Sequence, residues 1–250
     1  MTFLVAVAGK GGVGKTTISS LLVRALAQRS GEIILAIDAD PNANLGERLG
    51  VKVERTIGQL REDLLNRAEE VSASASKHEA VRYQLQLAKA EGPNFDLLTM
   101  GRPEGPGCYC YINNILRTFI DEAVDQYPFV VIDNEAGMEH LSRRTTKRMD
   151  VLLLVSDATS VGLTAVRRIS ELADEMEIKV GRRWLIVNRC PEELSAETER
   201  AIYVMGFDRV VRMPHDPALE SMSISGTPVT GLPENDPVWR SVKELAKDLR

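Results

Sequence analysis

The chain has 250 residues, 44% of them hydrophobic and 27% charged, with a formal net charge of −5 at pH 7. That hydrophobic share supplies a full core, the mild acidity argues against a nucleic-acid surface, which would be basic, and no stretch approaches the ~20 apolar residues of a membrane span. Three cysteines, two of them one residue apart, make no disulfide framework. The apolar start is only about six residues long and runs straight into a glycine-rich loop, unlike a signal peptide. These features predict a soluble cytoplasmic protein with reduced thiols.

Taken in order, Phe3–Ala8 reads as a buried parallel strand. Thr16–Arg29 follows with helical spacing, placing Ile18, Leu21, Leu22, Ala25 and Leu26 on one face. Ile33–Asp38 is a second strand and Ala39–Leu45 a loop. Residues 57–91 read as helical and polar, with a weak Ser/Ala stretch at 72–76. Phe95–Met100 is a strand, Gly101–Gly107 a Gly/Pro loop and Tyr111–Gln126 a helix. Further strands are expected at Phe129–Asp133, Val151–Ser156, Trp184–Asn188 and Val210–Met213, with helices near 160–177 and 195–204 and a closing helix over 236–249. The alternation predicts an α/β fold, a mostly parallel sheet with helices on both faces. No repeat or linker interrupts it, so residues 1–250 are read as one domain.

Residues 9–17, Gly-Lys-Gly-Gly-Val-Gly-Lys-Thr-Thr, satisfy the phosphate-loop pattern G-x-x-x-x-G-K-[ST] through Gly9, Gly14, Lys15 and Thr16. The loop sits at a strand-to-helix turn. Gly9, Gly11, Gly12 and Gly14 let backbone N–H groups, including those of Val13 and Thr17, close around phosphate oxygens. The helix N-terminus adds its unpaired N–H groups and the positive end of its dipole. Lys15 is expected to reach the β- and γ-phosphates, and the Thr16 hydroxyl to ligate Mg²⁺. The sequence thus predicts ATP/ADP binding with Mg²⁺.

In a parallel α/β sheet the ligand sits outside the carboxyl ends of the strands, and here those ends carry chemistry. The second strand ends in Asp38-Ala39-Asp40-Pro41-Asn42. Two carboxylates this close are costly unless they meet a cation or a reacting water; the alternative for Asp40 is a turn carboxylate before Pro41. Phe129–Ile132 runs into Asp133-Asn134-Glu135-Ala136-Gly137. Asp133 suits a Mg²⁺ site, held through the ion's water shell, and Gly137 lets a backbone N–H approach the γ-phosphate. Later strands end in Asn188-Arg189 and Pro214-His215-Asp216, read either as base contacts or as simple turns.

Gly107-Cys108-Tyr109-Cys110 is the second distinctive stretch. In extended backbone, residues i and i+2 point to one side. Two thiolates are a poor closed site, but two copies of the chain would offer four, enough for a soft or borderline divalent metal between subunits. The alternative is a pair of small buried hydrophobes. Cys190 has no thiol nearby in sequence and reads as structural, as do His78, His140 and His215; for His140, just after the Asp133–Gly137 segment, the alternative is a switch or metal-linked role.

Lys10, directly after the first glycine, makes the phosphate loop similar to the deviant Walker A loop of the MinD/ParA/nitrogenase-iron-protein class of ATPases. The resemblance implies a homodimer in which Lys10 crosses to the partner's nucleotide, Asp40 orients or activates the attacking water, and Asp38 supports the Mg²⁺ site without touching the ion. It also implies that Asn188, Arg189, Pro214, His215 and Asp216 hold the adenine. The ordered set G-K-G-G-V-G-K-T-T, D-A-D-P-N-A-N-L, G-P-G-C-Y-C, D-N-E-A-G-M-E-H-L and V-N-R resembles CooC-type accessory ATPases across essentially the whole chain. That resemblance implies Ni²⁺ or Zn²⁺ at Cys108 and Cys110 of a dimer. It further implies a client nickel enzyme, carbon monoxide dehydrogenase or acetyl-CoA synthase.

Two other readings stand beside this one. A MinD- or ParA-like positioning ATPase would act on membrane or DNA. Val238, Trp239, Val242, Leu245 and Leu249 form a helical stripe, but the mixed charge on the other face favours core packing over a membrane anchor. An iron–sulfur carrier or reductase would use the same cysteines. Glu135 departs from the nitrogenase iron protein, which has a cluster-ligating cysteine in this segment.

Overall fold

The computed structural model describes residues 1–66, 83–101, 121–122, 124–135 and 148–249. Nothing in it bears on Cys108, Cys110, Gly137, His78 or His140, nor on most of the helix expected at Tyr111–Gln126, which lie outside the described residues.

The strands are β1 (Phe3–Gly9), β2 (Ile34–Asp38), β3 (Ala90–Gly92), β4 (Phe95–Thr99), β5 (Phe129–Asp133), β6 (Arg148–Ser156), β7 (Lys179–Cys190) and β8 (Arg209–Pro214). They form an eight-stranded sheet in the order β3-β4-β2-β5-β1-β6-β7-β8. All pairings are parallel except β3 with β4. The helices whose ends lie among the described residues include α1 (Lys15–Ser30), α2 (Leu45–Leu49), α3 (Ile57–Asn66), α4 (Ser160–Glu175), α5 (Ala196–Val204), α6 (Pro217–Ser225) and α7 (Pro237–Lys247). The α/β architecture is the one the strand–helix alternation predicts.

Period-2 side-chain alternation gives each central strand two buried faces. In β1, Leu4, Ala6 and Ala8 join a core with Ile57 and Leu60 of α3 and Leu163 and Val166 of α4. Val5 and Val7 point the other way, into a core with Leu22 and Leu26 of α1 and Trp239 of α7. α1 is therefore buried between the sheet and α7. The stripe Val238, Trp239, Val242, Leu245 and Leu249 is 0–1% exposed, as core packing requires. The Arg24 guanidinium lies 4.1 Å from the Trp239 ring centroid.

Three local features depart from the sequence reading. The helix expected over 57–91 is helical at Ile57–Asn66 and again at residues 83–87, with 67–82 outside the described residues, whereas Ala90–Gly92 is an edge strand. Asn94 at φ 59° turns the chain back, and Gly92 leaves room for the Phe95 ring, which would lie 2.1 Å from a β-carbon there. The start of α3 fits a capping box: Thr56 Oγ1 accepts from Gln59 N at 3.2 Å, and Gln59 Oε1 accepts from Thr56 N at 2.9 Å. α2 and α6 are additional. α6 opens on Asp216, whose Oδ1 accepts from Ala218 N (2.7 Å) and Leu219 N (3.2 Å), with Pro217 in the first turn.

Candidate functional site

β1 lies between β5 and β6; the chain leaves β1 for β2 on one side and leaves the adjacent β6 for β7 on the other. The loop Gly9–Gly14 therefore opens at a switch point of the sheet, between strands that diverge. Gly9 is packed against its neighbour: a β-carbon there would lie 2.1 Å from the Val155 carbonyl oxygen. Gly14 takes φ 96° as it caps α1, and a β-carbon would come within 2.5 Å of Asn188 Nδ2. Asn188 sits there because its amide donates to the Val13 carbonyl at 2.8 Å. Beside it, Arg189 Nη1 donates to the Gly12 carbonyl at 3.2 Å. The β7–β8 pairing is irregular between Val187 and Cys190, and Arg189 adopts φ 51°. This break in the ladder re-aims Asn188 and Arg189 at the loop.

Lys15 is 7% exposed, and its ammonium donates to the Lys10 carbonyl at 3.2 Å. Burial lowers its pKa, while the charges of Asp133, Asp40 and Glu135 act the other way. The Lys10 side chain is exposed. Asp38 is fully buried; Asp40 N (3.1 Å) and Leu45 N (2.9 Å) donate to its two oxygens. Burial still pushes its carboxyl up to about 7, with nearby Asp133 adding to the effect. Asp133 is raised to about 6, mainly by burial, against the nearby hydroxyls of Thr16 and Ser19. Ser19 Oγ donates to Asp133 Oδ1 at 2.9 Å, whereas Asp133 Oδ2 is buried with no hydrogen-bond partner. An orphaned buried carboxylate oxygen is costly. Beside the Thr16 hydroxyl it makes an all-oxygen donor set suited to Mg²⁺ or its waters. Asp40 Oδ1 accepts from Asn42 N (2.8 Å) and Asn42 Nδ2 (2.9 Å), a local Asx-type turn.

A cavity of about 260 Å³ adjoins the loop. Gly14, Thr17, Asn188, Arg189, Pro214, His215 and Asp216 line it, so residues from both late strand ends meet the phosphate loop there. Leu219, Glu220, Ser223 and Ile224 of α6 complete it. These four were not anticipated from the sequence, although Asp216-Pro217 is a helix-start signal. Asp216 is engaged in capping α6, and His215 Nε2 lies 3.5 Å from Glu220 Oε2. Ser19, one turn beyond Thr16, was also missed. Cys190 is buried, and burial pushes its thiol up. Among the described residues no cluster of three metal-binding side chains occurs. None of their helices is long and apolar enough to cross a membrane.

The chain is similar to known proteins over its whole length. An uncharacterized ATP-binding protein of Methanocaldococcus jannaschii is 41% identical, covering 98% of each chain. The carbon monoxide dehydrogenase accessory protein CooC of Rhodospirillum rubrum is 31% identical, over 89% of this chain and 87% of its own. The structure of the septum site-determining protein MinD of Pyrococcus horikoshii, complexed with Mg-ADP, superposes with a TM-score of 0.70 at 22% identity, covering 99% of this chain and 95% of that one. Residues 1–183 match the AAA domain family. With a deviant phosphate loop at the switch point of a parallel sheet, the chain belongs to that family and is a P-loop ATPase of the MinD/ParA class.

Proposed function

We propose that this chain is an ATP-hydrolysing metal carrier that works as a homodimer and helps to mature a nickel enzyme. The observation that carries the reading is its likeness to CooC, spread over 89% of the chain. The Cys108-Tyr109-Cys110 segment, which offers thiolates for a shared metal, supports it. The positioning reading has less support. The C-terminal stripe that a membrane anchor needs is consumed by the core.

In this reading the N–H groups of Gly11 to Thr17 cradle the phosphates of ATP, and Lys15 leaves the Lys10 carbonyl to meet the β- and γ-phosphates. The adenine enters the cavity by α6, between Asn188 and Arg189 on one side and Pro214, His215 and Asp216 on the other. Thr16 and Asp133 would hold Mg²⁺, which when bound supplies charge neutralisation at the β- and γ-phosphates. Asp38 stabilises this wall through the backbone of Asp40 and Leu45. Asp40 has one oxygen tied to Asn42 and keeps the other to orient the water that attacks the γ-phosphorus. Water oxygen bonds to phosphorus as the bond to the bridging oxygen breaks, leaving ADP and phosphate. Lys10 of each protomer meets the partner's phosphates, a positive charge supplied in trans. Nickel or zinc is the cargo, held by Cys108 and Cys110 of both protomers and passed to the client when hydrolysis releases the switch segments. This needs a metal affinity that differs between nucleotide states.

The test is metal stoichiometry with molar mass on anaerobic protein loaded with Ni²⁺ or Zn²⁺, with and without ATP. One metal per dimer, lost in Cys108→Ala/Cys110→Ala, is the expected result. No tight metal in either form would return the cysteines to packing and the function to a positioning ATPase. Equal metal affinity with ADP, ATP and no nucleotide would remove the coupling.

A further inference from the structure

Arg48 is a buried charged side chain that the hydrolytic scheme leaves unused. It is 7% exposed, and among the described residues no carboxylate makes an ion pair with it. Its Nη1 donates to the carbonyls of Met222 (3.0 Å) and Thr227 (3.2 Å). Its Nη2 donates to the Thr17 hydroxyl at 3.4 Å, and Nε is buried without a partner. Burial disfavours the charged guanidinium and the nearby Glu47 charge offsets this only in part, whereas a hydrophobic residue of similar size would pack there without that cost.

The three acceptors belong to three parts of the nucleotide site. Thr17 follows Lys15 and Thr16 in the phosphate loop and lines the cavity. Met222 and Thr227 bracket the end of α6, whose Leu219, Glu220 and Ser223 line the same cavity. Arg48 itself stands on α2, whose first residue, Leu45, is held by Asp38 through its N–H. α2 is seated firmly against the α6 end. A β-carbon on Gly226 would lie 2.4 Å from Glu47 Oε1, and one on Gly50 would lie 3.1 Å from Pro228. A guanidinium presents its donors in a rigid planar fork, whereas an ammonium is a compact charge with three rotatable donors.

The bond to Thr17 also has a polarity. Arg48 takes a lone pair of the Thr17 hydroxyl, so the hydroxyl proton is free to donate elsewhere, and the bond strengthens that donor. The cavity wall is where Thr17 is exposed. We propose that Arg48 is a positioning residue for nucleotide binding. It orients the Thr17 hydroxyl as a donor to a phosphate oxygen and ties that contact to α6 and to the segment after Asp38. The bound phosphate adds negative charge on the side of the buried guanidinium that faces Thr17. The proposal rests on the nucleotide-binding reading of the cavity.

A double-mutant cycle tests it on the full chain. MgADP affinity is measured by titration calorimetry for wild type, Arg48→Met, Thr17→Val and the double variant, with apo melting temperatures recorded beside each. Each single change is expected to weaken MgADP about tenfold, the effect of one lost charge-assisted contact, and the double to be no weaker than the singles. A double variant weakened about a hundredfold, the product of the singles, or an Arg48→Met protein with unchanged affinity, overturns the proposal. If Arg48→Met does not fold, Arg48→Lys replaces it, since a lysine keeps the charge but loses the two separate Nη groups that divide Thr17 from Met222 and Thr227, and the same two outcomes decide. A purely structural arginine would lower the melting temperature and leave the cycle additive. Wild-type protein that fails to bind MgADP would instead remove the nucleotide reading itself.

Discussion

Asp38 and Asp133 are register partners across β2 and β5, and both are at most 1% exposed. Parallel partners point to the same face, so two carboxylates share one dry wall under α1. Burial raises both carboxyls, to about 7 and about 6, and the charge of Asp133 adds to the rise at Asp38. This wall is built to receive positive charge.

Activity should therefore fall on acidification in a range where ordinary carboxylates do not titrate. kcat/KM for ATP, which reports the free enzyme, is expected to drop as pH goes from 8 through 7 and 6. Stability of the nucleotide-free protein runs the other way. Folded pKa values raised above the unfolded ones contribute stability that is full below about pH 4 and lost as pH rises through 6 and 7. The apo melting temperature should thus fall from pH 5 to pH 8 in the part due to this pair, and saturating MgADP should flatten that slope. A flat kcat/KM between pH 8 and 6 would contradict the buried-pair geometry.

Asp133→Asn separates charge from shape. Its carbonyl oxygen can still accept from Ser19, and the orphaned anionic oxygen is gone. The variant should melt at or above the wild-type temperature at pH 8 without nucleotide. Its Mg²⁺-dependent hydrolysis should fall by about 100-fold or more. A destabilised apo variant would mean that the carboxylate is satisfied in the resting protein.

Gly14→Ala meets two penalties: a positive φ and a contact of 2.5 Å with Asn188 Nδ2. Together they should cost about 2–3 kcal/mol, or roughly 5–10 °C in Tm for a chain of this size. Adding Asn188→Ala should recover only the contact share. Thermal melts of the four proteins give the cycle, and full additivity would show that Asn188 can move aside.

Lys10→Ala should leave MgADP affinity unchanged, because the bond to Lys15 uses the Lys10 carbonyl, which alanine keeps. Hydrolysis should fall by about 100-fold or more if the side chain acts across a dimer. Adding a hydrolysis-dead variant that retains Lys10 should restore part of the activity in mixed dimers. No rescue in that mixture would place Lys10 in its own subunit's site.

Trp239→Ala should destabilise the protein by about 3–5 kcal/mol, since the ring is fully buried under Arg24. Co-sedimentation of the wild type with anionic vesicles is expected to be absent with or without ATP. Binding that disappears in Trp239→Ala while the fold survives would revive a membrane role for α7.

Much of this molecule is legible in its residues because local physics dictates it. The apolar run Phe3–Ala8, the glycines of the loop and the helical stripe after Thr16 are sufficient for β1, the phosphate loop and α1. Strands buried on both faces are continuous apolar runs, so their carboxyl ends, with Asp38 and Asp133, are readable too. Period and composition fail where an element is short or held by distant contacts. Ala90–Gly92 is too brief to show alternation and exists through pairing with Phe95–Thr99. α2 is five residues long and is stabilised by Asp38 and the α6 end. α6 hides behind an Asp-Pro that also reads as a turn.

By itself the sequence determined that a phosphate loop stands between a buried strand and a helix, with acidic strand ends around it and a Cys-x-Cys segment elsewhere in the chain. Only the tertiary structure decided which distant groups meet it. Asn188 and Arg189 reach the loop because the β7 ladder breaks and turns them inward. Asp38 and Asp133 face each other because the register of β2 and β5 aligns them. Arg48 touches Thr17, Met222 and Thr227 because α2 and α6 pack on the same side of α1. Each of these is a long-range contact, and long-range contacts follow from sheet order and packing rather than from any local pattern.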